Sequence, residues 1–327
     1  MIARLLRPAF FGLIAAGGFA LIVSGGLHAQ TYPVKPIRIV VPFAPGGPND
    51  ILARLIGQKL AEVWGQQVVV DNRPGGGTVI GTELVAKAAP DGYTLLVVSP
   101  STATNPSLVR KLPYDTLRDL APVVLLSTSP NVLAVHPSLP ARSVRDLITL
   151  AKARPGEVTF GSGGNGTSTH LSGEILALRG GVKMIHVPYK GGSPAAIAVL
   201  TGEVSFSFGS ILPFLPYIRS GRLRALAVSS LQRASVLPDV PAAAETLPGF
   251  EASPFHGVMA PAGTPKDIIA KLNQEIGKIM NAPETKDRLA REGTEVRTGT
   301  PEQFGAFLRD EIDKWAKVIT AAGIQAQ

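Results

Sequence analysis

The sequence predicts an α/β protein of about two domains, on three observations. Short β-branched runs that end in glycine, proline or serine alternate with segments whose apolar residues recur at helical spacing. The 35 glycines and 28 prolines fall between these runs and not in a low-complexity tract, so they mark turns. Hydrophobic residues make up 45% of the 327 and charged residues only 17%, a balance that supports a sizeable buried core.

The opening unit sets the pattern. Ile39-Val40-Val41 reads as a strand buried on both faces, and Pro42-Phe43-Ala44-Pro45-Gly46-Gly47 stops it. Ile51, Leu52, Leu55, Ile56 and Leu60 then keep a helical spacing, with Asn49 or Asp50 placed to cap the first turn. Gln67 to Asp71 is a second strand, Asn72 to Thr78 a second glycine-rich turn, and Ile80 to Ala88 a second helix. Pro90-Asp91-Gly92 is a turn before the third strand, Thr94 to Val98, which the hydroxyl cluster Ser99-Pro100-Ser101-Thr102 breaks.

Val123 to Leu126 and Val132 to Val135 are strands on either side of Ser127 to Asn131, where the chain is expected to cross between domains. Ser143 caps a helix that Arg154-Pro155-Gly156 ends. Val158 to Phe160 leads into Gly161-Ser162-Gly163-Gly164-Asn165-Gly166-Thr167-Ser168-Thr169-His170 and a helix through Leu178, repeating the opening layout. Met184 to Val187, Val204 to Phe208, Leu223 to Val228 and Phe255 to Ala260 are further strands, with a helix to Leu200 after the first of them. The tail is helical: Ile268, Ile269, Leu272, Ile276 and Ile279 keep one apolar face, and Phe304, Phe307, Leu308, Ile312, Trp315 and Ile319 another.

Residues 1–29 read as a secretory signal peptide. Arg4 and Arg7 precede the apolar stretch Ala9 to Val23, and Leu27-His28-Ala29 offers a small residue for cleavage after Ala29. A membrane anchor is the alternative, against which stands a stretch shorter than the ~20 residues a span needs. The sequence contains no cysteine, so neither a lipid-anchored start nor a disulfide framework is available. The net charge of +8 falls to about +6 without the two leader arginines, and the basic residues are interspersed with acids. That pattern describes solvated helix faces with a general attraction for small anions, not a nucleic-acid surface.

Two loops carry the chemistry. A helix start leaves backbone N–H groups unpaired, and Gly46 and Gly47 carry no side chain to keep an anion from them. The Ser162 to Thr169 loop repeats this with added hydroxyls. Gly161, Gly163 and Gly166 match the dinucleotide fingerprint in spacing, but the next strand ends in Val187-Pro188-Tyr189 and lacks the acid a ribose would require. No nucleophile elbow, metalloprotease helix or phosphate-loop lysine motif occurs, and the histidines lack metal-ligand spacing. No catalytic residue, metal or cofactor is therefore expected. His170 is read first as a hydrogen-bonded residue of the helix start, and secondarily, with Ser162 or Ser168, as the basis of an exported hydrolase or lyase.

Pro42-Phe43-Ala44-Pro45-Gly46-Gly47 with Asp50, Asn72-Arg73-Pro74-Gly75, Ala89-Pro90-Asp91-Gly92-Tyr93, Lys111-Leu112-Pro113-Tyr114-Asp115, Val187-Pro188-Tyr189-Lys190-Gly191 and Ala260-Pro261-Ala262-Gly263-Thr264-Pro265 occur in one order. In these motifs the chain resembles the tripartite tricarboxylate transporter receptors, the Bug-type periplasmic solute-binding proteins. The resemblance implies a two-lobed binding protein of type II-like form, each lobe a mostly parallel sheet flanked by helices. Lobe 1 would comprise 30–130 and 255–327, and lobe 2 131–254. It implies a small organic acid clamped in the cleft, with transporter permease subunits, or a sensor kinase, as membrane partner to a monomeric periplasmic receptor. The residues expected at the ligand are Phe43, Gly46, Gly47, Pro48, Asn49, Asp50, Ser99, Ser101, Ser162, Gly166, Thr167, Ser168, Thr169, Tyr189 and Gly209. The chain departs from the family at Ser205 and Gly209, where acids are usual, at Pro48-Asn49, and at Phe255-His256. With no acid between Val204 and Leu237, a carboxylate without an amino group is the expected ligand.

Overall fold

The computed structural model describes residues 32–189, 192–324 and 326. The expected leader with its cut after Ala29, and Lys190 and Gly191 of the fifth motif, lie outside the described residues. Strands and helices alternate as β1 (Ile37–Val41), α1 (Pro48–Trp64), β2 (Val68–Asn72), α2 (Val79–Ala86), β3 (Thr94–Val98), α3 (Pro100–Leu108), β4 (Leu120–Thr128) and β5 (Asn131–Val135). They continue as α4 (Val144–Ala153), β6 (Thr159–Ser162), α5 (Ser168–Gly180), β7 (Ile185–Pro188), α6 (Gly192–Leu200), β8 (Phe206–Ser210), α7 (Ile211–Arg219) and β9 (Arg224–Val228). The last elements are β10 (Phe255–Pro261), α8 (Lys266–Asn281), α9 (Pro283–Arg291), β11 (Glu295–Val296) and α10 (Pro301–Ala321).

Two sheets result. A six-stranded sheet has the order β11-β4-β10-β3-β1-β2, and a five-stranded sheet the order β7-β6-β8-β5-β9. Both are mixed. In the first, β1 runs parallel to β2 and β3 while β10 is antiparallel to β3 and β4. In the second, β6 is parallel to β7 and β8 while β5 is antiparallel to β8 and β9. The strand period of two sorts each sheet's side chains onto two faces. Ile37, Ile39 and Val41 pack with Leu52, Ile56 and Leu272 under α1 and α8, whereas Val40 lies with Val85, Phe304 and Trp315 under α2 and α10. In the second sheet Val132 and Ala134 face α6 and α7, and Leu133 and Val135 face α4 and α5.

The chain passes between the sheets at 129–131 and returns at 252–254, and the two passages are tied together. Ser129 N donates to Pro254 O, Ser229 N to Asn131 O and Ala252 N to Ser229 O, at 2.9, 2.8 and 3.0 Å. Ser143 caps α4 as its sequence predicts, accepting from Asp146 N at 3.1 Å. The start of α1 differs from expectation. Gly47 is the residue before the helix, Pro48 opens it, and Asp50 sits one turn in and reaches back to Gly46 N at 2.9 Å. Proline at the first helical position displaces no hydrogen bond, because that N–H has no partner inside a helix.

Candidate ligand site

The carboxyl ends of β1, β2 and β3 in one lobe face the Asn165 to His170 loop and β7 of the other across a cavity of about 760 Å³. The first wall is built from strained backbone. Gly75, Gly76 and Gly77 have φ of 129°, 56° and 62°, and Thr78 follows at 83°. A β-branched residue at positive φ stores on the order of 1–3 kcal/mol and persists only where its surroundings fix it. Here Asn105 of α3 fixes it, its Nδ2 donating to Gly77 O and Thr78 Oγ1, both at 3.1 Å. Phe43, Ser101 and Leu108 complete this side.

The second wall is the start of α5. Thr167 is the residue before the helix, with Oγ1 accepting from His170 N at 3.4 Å. Gly163 N donates to Thr169 Oγ1 (2.9 Å), Gly164 N to Ser162 Oγ (3.1 Å) and Gly166 N to His170 Nδ1 (3.1 Å). Much of the loop's donor capacity is thus spent on holding its own shape. The amides of Ser168 and Thr169, in the first turn of α5, are the helix-start donors. His170 stacks on His186 of β7 with ring centroids 3.9 Å apart, and Phe160 lies 5.0 Å from His186 on β6. Burial, and then the neighbouring His170, lower the His186 pKa to about 4.

Of the residues expected at a ligand, Phe43, Ser101, Gly166 and Thr167 line this cavity. Gly46, Gly47 and Pro48, which follow Ala44 of the lining in sequence, do not themselves line the cavity, and Asn49 and Asp50 are buried. Asp50 is fully engaged: it accepts from Arg54 Nε, Gly46 N and Asn72 Nδ2, each at 2.9 Å. Ser99 precedes α3 and is buried, and Ser162 is buried against His186 Nε2 at 2.6 Å. Ser168 O accepts from Ser172 Oγ, and Thr169 Oγ1 lies 2.9 Å from Thr167 Oγ1. Tyr189 turns away to donate to Glu203 Oε1 at 2.7 Å, and Gly209 packs against Phe214. The sequence reading did not single out Gly75 to Thr78, Asn105, Glu174 or His186. Three successive glycines were the available signal for the first of these; His186 and Glu174 had none, since only the packing of β7 against α5 brings them together.

The hydrogen bond from Arg54, reinforced by those from Gly46 and Asn72, holds the Asp50 carboxyl down to about 2. A depressed folded-state pKa contributes stability that is complete above the unfolded value near 4 and is lost as pH falls toward 2. Melting curves between pH 5 and 2 are therefore expected to fall less steeply for Asp50→Asn than for the native chain.

The description "tripartite tricarboxylate transporter family receptor" matches residues 52–324. The chain belongs to this family. It is 43% identical over 313 residues to BugT of Bordetella pertussis (strain Tohama I), with 95% of each chain covered. Among solved structures, R. palustris Rpa4515 with adipate superposes with a TM-score of 0.81 at 36% identity, covering 90% of this chain and 100% of that one. MatC from Rhodopseudomonas palustris with bound malate gives 0.77 at 32% identity, covering 88% and 100%. The described residues include no helix long and apolar enough to cross a membrane.

Proposed function

We propose that this receptor captures a small dicarboxylate between its lobes and presents it to the permease subunits of a tripartite transporter. The observation that carries the reading is the cavity whose walls come from both sheets and whose donors are amides, hydroxyls and imidazoles. Rpa4515 with adipate and MatC with malate both hold dicarboxylates, which supports the same class here. We assign 30–130 and 255–327 to lobe 1 and 131–254 to lobe 2, on the sheet membership of the strands. Phe43, Ser101, Gly166 and Thr167 contact the ligand, and closure brings the Gly46-Gly47 turn to it. Closure needs only that ligand contacts favour the closed arrangement. The protein turns over no substrate, works as a monomer and reaches the periplasm after cleavage following Ala29.

The ligand carries no ammonium. Asp50, the acid nearest that turn, already has three donors, and Glu174, the one acid on the described cavity wall, has its Oε1 3.4 Å from His170 Nε2. Thermal shift and calorimetry with adipate, malate, succinate, aspartate and a neutral sugar test this. A dicarboxylate at a hundred times its Kd should stabilise the fold by about 2.7 kcal/mol. Aspartate should bind at least ~10-fold more weakly than succinate, since an unpaired buried ammonium costs several kcal/mol. Tighter aspartate binding, or no response to any acid, would overturn the assignment.

A further inference from the structure

An anion entering this cavity meets an electrostatic problem. Its described lining contains one carboxylate, Glu174, and no lysine or arginine. Neutral donors and the start of α5 stabilise a carboxylate, but neither carries a full positive charge to pair with it. Among the described lining residues the histidines are the remaining source of a full positive charge, and their surroundings differ. His170 Nδ1 accepts from Gly166 N at 3.1 Å and its Nε2 lies 3.4 Å from Glu174 Oε1, so both ring nitrogens are already engaged within α5 and its loop. Protonating Nδ1 would break the bond that shapes the loop.

His186 has no such constraint. Its Nε2 faces Ser162 Oγ at 2.6 Å, and that hydroxyl has an alternative acceptor in Gly164 O at 3.2 Å. With His186 neutral, Ser162 donates to Nε2; with His186 charged, Nε2–H donates to Ser162 and the hydroxyl turns to Gly164. Gly164 N donates to Ser162 Oγ in both cases. Among the described residues of the cavity wall, the titratable groups beside His186 are His170 and Glu174, both on α5, while the adjoining strand β6 presents Phe160 and Ser162.

We propose that His186 contacts the bound anion and takes up a proton as the ligand enters, supplying a positive charge that the described lining otherwise lacks. The inference rests on the carboxylate reading above. The ligand raises the His186 pKa, so uptake occurs between the free and bound values and disappears at higher pH.

Calorimetry with adipate and malate in buffers of different ionisation enthalpy counts the protons. Uptake should rise as pH falls from 7.5 to 5.5, reaching about nine-tenths of a proton per ligand, which corresponds to affinity improving roughly tenfold. His186→Gln should abolish the uptake and flatten that pH dependence. Imidazole NMR on the native chain gives a second readout that survives a misfolded variant: adipate should convert His186 to the imidazolium, while the His170 ring keeps its ligand-free signals. Binding without uptake, or uptake that persists in His186→Gln, overturns the proposal and leaves the carboxylate reading intact. If neither acid binds, the carboxylate reading fails and this proposal falls with it.

Discussion

Gly166→Val is expected to weaken adipate or malate binding by on the order of 100-fold while the protein stays folded. Gly166 lies at φ 73° in the second-lobe wall, and a Cβ added there would stand 2.7 Å from Leu108 Cδ1 in the first-lobe wall. At this point the two lobes approach each other closely because a side chain is absent. Valine adds three separate penalties: a left-handed backbone that costs a non-glycine residue ~1–2 kcal/mol, bulk inside the cavity, and displacement of the Gly166 N–H that holds His170. Each acts on the ligand-ready geometry, so the sum falls mainly on affinity. The melting temperature should drop by a few degrees, because the strain is local and Leu108 is only partly buried. Calorimetry beside a thermal melt separates the two effects. Unchanged affinity would remove this loop from the site, and global unfolding would show that the glycine is needed for the fold.

The fold was legible wherever local pattern and tertiary burial agree. Strands β1, β3 and β5 are buried on both faces, which is what their short, mainly apolar runs announce. Helices α1, α4, α8 and α10 each carry one apolar stripe. Helix α3 was not legible. Its sequence Pro-Ser-Thr-Ala-Thr-Asn-Pro-Ser-Leu has no apolar stripe and an internal proline at Pro106, so it reads as a loop that ends β3. It is helical and largely buried because α10 packs on it, and this tertiary contact is what brings Asn105 and Leu108 to the cavity. Helix α7 was missed similarly, with Pro216 inside a mainly apolar segment.

The site divides in the same manner. Glycine turns at strand ends are visible in a sequence, and they led to Phe43, Gly166 and Thr167. A pairing such as Phe160 with His186, set by the register of β6 against β7, is not, and neither is the stacking of His170 that depends on it. The same limit explains Asp50. As an acid near a helix start it is free to serve either helix or ligand, and only the positions of Arg54 and Asn72 assign it to the helix.

Gly209→Ala is expected to destabilise the fold by about 2–4 kcal/mol and to leave the affinity of the folded protein unchanged. Gly209 belongs to β8, paired with Val132 of β5, and is buried. A Cβ there would overlap the ring of Phe214, which is 1% exposed on α7 and packed with Ile211 and Leu215. The β8–α7 connection is short, so ring and strand cannot separate without moving the helix. Overpacking a dense core by one carbon commonly costs 1–3 kcal/mol, and a direct overlap with an enclosed ring belongs at or above the top of that range. The melting temperature should fall by roughly 3–6 °C. The position was expected at the ligand from the family resemblance, and the double variant Gly209→Ala/Phe214→Leu distinguishes that role from packing. A smaller side chain at 214 makes room for the methyl group, so the two substitutions should couple by ~1 kcal/mol or more in the stabilising direction. Additive stability effects together with a loss of affinity for adipate would place Gly209 at the ligand instead.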